Sequence, residues 1–464
     1  MPKFTGALSQ HPARISFISF ASVILIGALL LALPVCRQPD ANPIAFLDAL
    51  FTSTSAVCVT GLTVRSTGMD FSWLGQLVIM LLIQVGGLGI MTITSFVTFT
   101  LGGRENLRHR AVISETLGAG PDTDLRWILR GVVLTTAIIE GIGAAILAIW
   151  FRVAHGFSWA EAAWQGVFHS IGAFCNAGFG LGRTVGGQRF ENLEPYQGDW
   201  VINLTIILLI VFGGLGFPVI LDIVRNWRGS WEDRWGRLML HSKLMILGTA
   251  GLLTCGTLGF FVLEYDGDVM GHLPLHEKLL VSMFQSTTPR TAGFNTVDYA
   301  ELNNATLLLT MLLMMIGAGP CSTGGGFKVS TFMVLIVRSW TTIQGFSRVQ
   351  MFRRSMPHQT VEKAVATTLL FSIVAATGLT ALLIVEQWVN PGVRFLDAAF
   401  EILSALGTVG LSMGLTSKLS AFGKIVIVAM MFIGRLGPFT VFVALSRSER
   451  EQVLEYASEE PLIG

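Results

Sequence analysis

Charge is what this sequence has least of. Only 13% of its 464 residues are Asp, Glu, Lys or Arg, about half of the roughly 25% found in soluble domains. A water-exposed polar shell is thereby excluded. Cysteine is also sparse: Cys36, Cys58, Cys175, Cys255 and Cys321 show no CxxC spacing. That excludes a zinc ribbon or redox pair and leaves them as small apolar residues. No HExxH and no GxxxxGK[ST] occurs, the eight histidines are scattered, and no carboxylate pair shares a span face. The chain is therefore expected not to be an enzyme, to hydrolyse no ATP and to hold no resident metal.

What replaces charge is apolar sequence, at 52% of residues with a mean hydropathy of +0.63. Runs such as 15–35, 77–99 and 200–221 approach the roughly 20 apolar residues that cross hydrocarbon as a helix. Eight such spans are predicted in the lipid bilayer, with no cleaved leader. Assigned to alternating sides, well over half of the 31 Lys and Arg fall on the side of the N-terminus, which places both termini in the cytoplasm. The richest basic stretches, 225–237 and 348–359, flank spans and suggest no nucleic acid.

Four polar islands interrupt the apolar runs: CVTGLT (58–63), CNAGFG (175–180), RTAGFN (290–295) and GTVGLS (407–412). Their glycines, Gly61, Gly178, Gly293 and Gly410, recur about every 116 residues, the mark of an internal repeat. Each island follows an apolar segment too short to span, with an acid near its start: Asp48, Glu161, Glu277 or Asp397. Each precedes a second glycine cluster, GGLG at 86 and 213, GAGP at 317 and GRLG at 434. The larger offset in the second repeat comes from an insertion, 182–198, on the extracellular side. The repeat boundaries are read as 1–101, 102–224, 225–337 and 338–464.

Each repeat is thus span, half-helix, glycine turn and span. Non-helical backbone at membrane depth is tolerated only where it lines a water-filled cavity. Four re-entrant loops need one cavity, which packing around a central axis supplies. Their carbonyls then replace the hydration shell of a cation, glycine admits the positive φ that turns them inward, and each half-helix aims its negative C-terminal end at the site. The four acids are read as caps or dipole partners of half-helix N-termini.

The chain resembles the Trk/Ktr/HKT superfamily of potassium transporters, most closely the membrane subunit of the bacterial Ktr system. The resemblance rests on SAVCVTGLTV, GAFCNAGFG, TTPRTAGFNT, SALGTVGLS, GPCSTGGGFKVS and IGRLGP and covers nearly the whole chain. The short N-terminus favours Ktr over Trk and is shared by sodium-ATPase-associated relatives. It implies an all-α polytopic protein with four pseudo-repeats around an ion pore, of potassium-channel type. It implies four filter strands: Val59, Thr60, Gly61 and Leu62; Asn176, Ala177, Gly178 and Phe179; Thr291, Ala292, Gly293 and Phe294; Thr408, Val409, Gly410 and Leu411. It also implies potassium uptake across a bacterial inner membrane with sodium involved, a homodimer, and a cytoplasmic nucleotide-binding ring of RCK type. One glycine per strand suggests potassium preference with some passage of sodium or rubidium.

The second span of repeat three carries Gly317, Gly319, Pro320, Ser322, Thr323, Gly324, Gly325 and Gly326. Glycine costs about 1 and proline about 3 kcal/mol in a helix interior, so the helix breaks there. The resemblance makes this loop the gate. GGLG at 86 and 213 is read as close helix packing. Lys328 and Arg435 are ionisable residues within or near spans, and Arg435 sits where the family carries an arginine facing the gate loop. His169 is expected to pack and bond locally, Arg290 to hold the third loop through carbonyls, Asn295 to fix that loop, and Glu140 and Asp222 to be paired structurally. Ala318, Cys321, Phe327 and Met413 depart from the usual family residues and bear on gating and sodium response. The alternatives are a sodium-translocating or sodium/potassium member and, from another class, a secondary transporter of a small organic solute.

Overall fold

The computed structural model describes residues 12–89, 125–185, 188–346 and 348–445. The termini and most of the loop at 102–127, on which part of the charge asymmetry rests, lie outside them.

One order of helices recurs four times. The first quarter has α1 (Pro12–Leu31), α2 (Phe46–Val57) and α3 (Trp73–Leu88). The second has α4 (Leu125–His155), α5 (Trp159–Phe174), a hairpin of β1 (Arg183–Val185) and β2 (Gln188–Phe190), α6 (Trp200–Leu215) and α7 (Phe217–Arg225). The short α8 (Trp231–Arg237) leads to α9 (Leu240–Leu263), α10 (Leu275–Thr287), α11 (Asn304–Met315) and α12 (Val329–Ile343). A hairpin of β3 (Gln350–Met351) and β4 (Arg354–Ser355) joins α13 (His358–Val389), α14 (Phe395–Gly407), α15 (Ala421–Leu436) and α16 (Pro438–Leu445).

Among the described residues, four uninterrupted helices are long and apolar enough to cross a membrane: α1, α4, α9 and α13, over Arg14–Leu31, Leu129–His155, Leu240–Leu263 and His358–Val389. Each leads a quarter. The helices after the polar islands are shorter because they are broken. α3, α6 and α15 end at Gly89, Gly216 and Gly437, with φ of 83°, 93° and 84°, and α6 turns into α7 at 92°. Interruption was expected only at GAGP, but the last glycine of GGLG and GRLG ends its helix in the other quarters too. The packing role expected of GGLG at 86 and 213 also holds, and GRLG at 434 shares it. A β-carbon on Gly86, Gly213 or Gly434 would collide with the carbonyl oxygen of Val57, Phe174 or Leu406, at the end of the half-helix beside it.

The half-helices are pinned to the leading helices by one device. Ser53 Oγ donates to Ile24 O at 2.7 Å, Ser170 Oγ to Glu140 O at 2.7 Å and Ser286 Oγ to Leu253 O at 2.8 Å. Facing glycines, Gly27, Gly143 and Gly256, make room for these hydroxyls. In the fourth quarter Gly378 receives Met430 instead. Buried side chains, Phe51, Phe168, Phe174, Phe284 and Phe400 among them, fill the space between half-helices, while exposed leucines and isoleucines such as Leu25, Leu29, Ile138 and Ile142 coat the outside, as a lipid-facing surface requires.

Candidate functional site: a ring of backbone carbonyls

α2, α5, α10 and α14 all end next to the polar islands. There the backbone adopts one unusual conformation four times. Val59, Asn176, Thr291 and Thr408 have φ of 55°, 59°, 68° and 52°, and two residues later Gly61, Gly178, Gly293 and Gly410 have φ of 96°, 69°, 73° and 96°. Left-handed backbone is rare outside glycine and strained for a β-branched residue, at a cost of about 1–3 kcal/mol each. Three of the four non-glycine positions are Val or Thr. Such repeated strain persists only where the surroundings over-determine it.

The surroundings are the neighbouring strands. A β-carbon built on Gly61 would lie 2.6 Å from Ala177 O, and one on Gly178 would lie 2.9 Å from Ala292 O. One on Gly293 would strike Val409 O, and one on Gly410 would strike Thr60 O. First touches second, second third, third fourth and fourth first, so the ring closes on itself.

Val59, Thr60, Asn176, Ala177, Thr291, Ala292, Thr408 and Val409 are fully buried. Among the described residues nothing donates a hydrogen bond to any of their eight carbonyl oxygens. Buried carbonyls without partners are rare, and eight in one closed ring form a set of hard oxygen donors suited to a partly dehydrated monovalent cation. Leu62, Phe179, Phe294 and Leu411 are buried just beyond and pack the strands from outside. Above the ring opens a cavity of about 690 Å³, lined by Gly61, Gly178, Gly410, Glu191, Glu194, Asp298 and Glu301 among others. Its charged lining residues are all acidic.

Below the ring lies the loop between α11 and α12, and it is tied to the other three quarters, to the first through Arg435. Arg435 donates to Thr323 O and to Gly86 O, joining the loop to α3 and α15. Thr323 Oγ1 donates to Phe174 O at 2.9 Å, and Gly319 N to Gly214 O at 2.8 Å. Gly325 N donates to Thr408 Oγ1 at 3.1 Å and Gly326 N to Gly434 O at 3.3 Å. A β-carbon on Gly324 would collide with Thr291 Oγ1. The loop is therefore seated on the first residues of the third and fourth strands. Internally, Gly317 N donates to Phe327 O at 2.7 Å, Ser322 Oγ to Gly319 O at 2.7 Å, and Lys328 Nζ to Gly324 O at 2.8 Å and Gly325 O at 3.2 Å. Pro320 O faces Gly216 at the break in the second quarter.

The family model described as cation transport protein (TrkH) matches residues 15–456. The chain belongs to this family. It is 39% identical over 443 residues to the Ktr system potassium uptake protein B of Bacillus subtilis, covering 95% of this chain and 94% of that protein. It is 37% identical to the protein of the same description from Vibrio alginolyticus, covering 97% and 94%. It is 35% identical to the potassium/sodium uptake protein NtpJ of Enterococcus hirae, covering 98% and 97%. A crystal structure of the potassium transporter TrkH from Vibrio parahaemolyticus has the same fold, with a TM-score of 0.71 at 18% identity over 96% of this chain and 87% of that one. The resemblance read from the sequence is thus a family relationship, and the chain is a membrane protein of that family.

In this TrkH-family chain the first turns of the half-helices hold Asp48, Glu161, Glu277 and Asp397. Glu161 completes a capping box with Ser158, and Asp397 bonds Arg394. Asp48 does more: it accepts from Arg65 at 3.0 Å and from Lys424 at 2.7 Å, clamping the first quarter to the fourth. Arg290 differs from expectation. Its Nη2 donates to Thr249 Oγ1 on α9 at 3.2 Å, so it anchors its loop from behind and, among the described residues, bonds no carbonyl of the ring. His169 is buried among Phe151, Phe168 and Phe294, with Nδ1 2.9 Å from Gln165 O, the local packing expected. Gln84 Nε2 lies 3.2 Å from Glu140, and Asp222 accepts from Ser242 Oγ at 2.6 Å and Met239 N at 2.9 Å, which names the partners of both acids.

Sequence reasoning missed two supports. Glu401, fully buried on α14, accepts from Ser412 Oγ at 2.8 Å and from Thr416 Oγ1, bracing the strand after Gly410. The insertion in the second quarter folds back onto the ring: Asn295 Nδ2 donates to Glu194 Oε1 at 2.8 Å and Leu193 N to Asn295 O at 3.1 Å. Asn295 does fix its loop, but its partner lies a hundred residues away. Burial holds the Glu194 carboxyl above the usual carboxylate range, although the Asn192 and Asn295 donors offset part of the effect.

Proposed function

We propose that this protein carries potassium ions into the cell across a bacterial inner membrane, through the ring formed by residues 59–62, 176–179, 291–294 and 408–411. The closed ring of eight unpaired buried carbonyls carries this reading, and the potassium-uptake relatives support it. Four half-helix C-termini aimed at the ring add negative potential where a cation sits. The acidic cavity above concentrates cations before they shed water.

On this reading the 316–328 loop is the gate. It lies under the ring and is tied to the other three quarters, and Arg435 holds it shut while placing a positive charge in the path. Opening requires these bonds to exchange for others. Sodium stimulates transport, and the protein works as a homodimer docked on a cytoplasmic nucleotide-binding ring, with eight spans in four repeats and both termini in the cytoplasm. It performs no covalent chemistry.

The similarity to NtpJ favours one second reading, a sodium/potassium uptake protein. A ring of single carbonyl oxygens suits a monatomic ion and leaves no side-chain contacts for an organic solute. The test is potassium influx into cells lacking their own uptake systems, with external sodium varied and Gly293→Ser beside the wild type. Sodium-stimulated potassium uptake that is lost in Gly293→Ser supports the reading; uptake of sodium as well as potassium by the wild type supports the second.

A further inference from the structure

We propose that Asn192, on the excursion found only in the second quarter, is a positioning residue that sets cation discrimination at the outer rim of the ring; this rests on the uptake reading above. Its side-chain amide Nδ2 donates to Gly178 O at 3.1 Å and, more weakly, to Gly293 O at 3.4 Å. One side chain thus bridges adjacent strands at the level of the ring glycines. Among the described residues no side chain donates to Gly61 O or Gly410 O, so the rim is tied on one side and free on the other.

The amide is held in place. Asn192 N donates to Glu194 Oε2 at 3.0 Å. Leu193, fully buried, plugs the core beside Phe294 and Ala292, and its backbone N bonds Asn295 O at 3.1 Å. Gly180 permits the approach, since a β-carbon there would lie 2.8 Å from Asn192 Cα. A donor this well fixed sets the separation of the second and third strands. A smaller cation needs the carbonyls to draw inward, and the bridge resists that contraction on the tied side. It also occupies lone-pair density that the two oxygens would otherwise offer an ion. Both effects weigh against sodium more than potassium, because the smaller ion gains most from close, fully available oxygens.

The experiment compares wild type, Asn192→Ala and the near-isosteric Asn192→Leu, which keeps the volume and loses the donor without adding charge. Potassium and sodium chloride are each titrated against thermal unfolding of the purified full-length protein, and potassium uptake is measured in cells with sodium as competitor. The expected result is a ratio of half-saturating sodium to potassium about 3- to 10-fold lower in both variants, the span of one hydrogen bond's net worth, with membrane abundance retained. If Asn192→Ala fails to fold, Asn192→Leu carries the comparison. Wild-type ratios in the folded variants overturn the proposal. A wild type that binds cations in the purified state but takes up no potassium contradicts the uptake reading, while the binding ratio still decides the role of Asn192.

Discussion

Replacing Arg435 by Gln removes the charge that ties the 316–328 loop, the proposed gate, to two other quarters. The guanidinium donates to Thr323 O and Gly86 O, and hydrogen bonds from a charged donor are worth about 1.5–3 kcal/mol each. Arg435 is half-buried, so the lower end applies, giving about 3 kcal/mol for the pair. If these bonds exist only in the shut arrangement, their loss moves the shut-to-open equilibrium about 100-fold. Loss of the positive charge lowers the barrier to a cation as well, so both effects have one sign. Initial potassium influx at saturating potassium, normalised to membrane protein, should rise severalfold until another step limits it. The contrasting variant is Arg435→Lys, which keeps the charge but cannot reach both carbonyls with a planar fork; it should fall between. Wild-type influx in a well-inserted Arg435→Gln protein refutes the assignment of Arg435 to the gate.

Three further predictions come from other parts of the structure. Gly325→Ala places a methyl against the Thr408 side chain, 2.9 Å from Cγ2; overpacking of about 1–3 kcal/mol should lift the loop from the ring and raise influx, as read by rubidium uptake. Asp48→Asn leaves Lys424, only 17% exposed, beside a neutral partner. Breaking one side of such a pair costs about 3–5 kcal/mol, so the thermal midpoint in detergent should fall by several degrees, with partial recovery on adding Lys424→Met. Glu194 supplies the pH dependence. Its carboxyl is raised by burial and by the charge of Glu191, so it protonates above the usual carboxylate range as external pH falls and becomes a poorer acceptor for Asn192 and Asn295. Potassium half-saturation should rise over that window, and Glu194→Gln should flatten the profile. The sign for stability is opposite: a raised folded pKa adds stability at low pH that is lost as pH rises through it.

The ring was legible because glycine has one use that no other residue fills cheaply. Four glycines at a constant interval, each behind a short apolar segment, marked the re-entrant turns before any contact was known. Strain at the preceding positions was not legible, since Val59, Thr291 and Thr408 are residue types that avoid positive φ; only closure of the ring forces it. The GAGP break was visible through proline, whereas the breaks at Gly89, Gly216 and Gly437 were hidden because a glycine in an apolar run reads equally as a packing notch. Long-range partners were the least readable. Lys424 meets Asp48 across 376 positions and Asn192 meets Gly293 across 101, and no local pattern carries such pairings. The insertion accordingly read only as the cause of a longer offset, although it forms part of the ring's outer wall. Arg290 was misjudged for a related reason, because adjacency in sequence to a filter strand does not say which side of it a side chain faces.

The central claim is that four equivalent strands share one ring. The measurement that tests it most directly is the ratio of potassium to sodium uptake in Gly61→Ser, Gly178→Ser, Gly293→Ser and Gly410→Ser, each made singly and each checked for membrane abundance. Every one of these β-carbons meets a neighbouring strand, so the account predicts that all four lose discrimination. A single abundant variant among the four that keeps the wild-type ratio contradicts it.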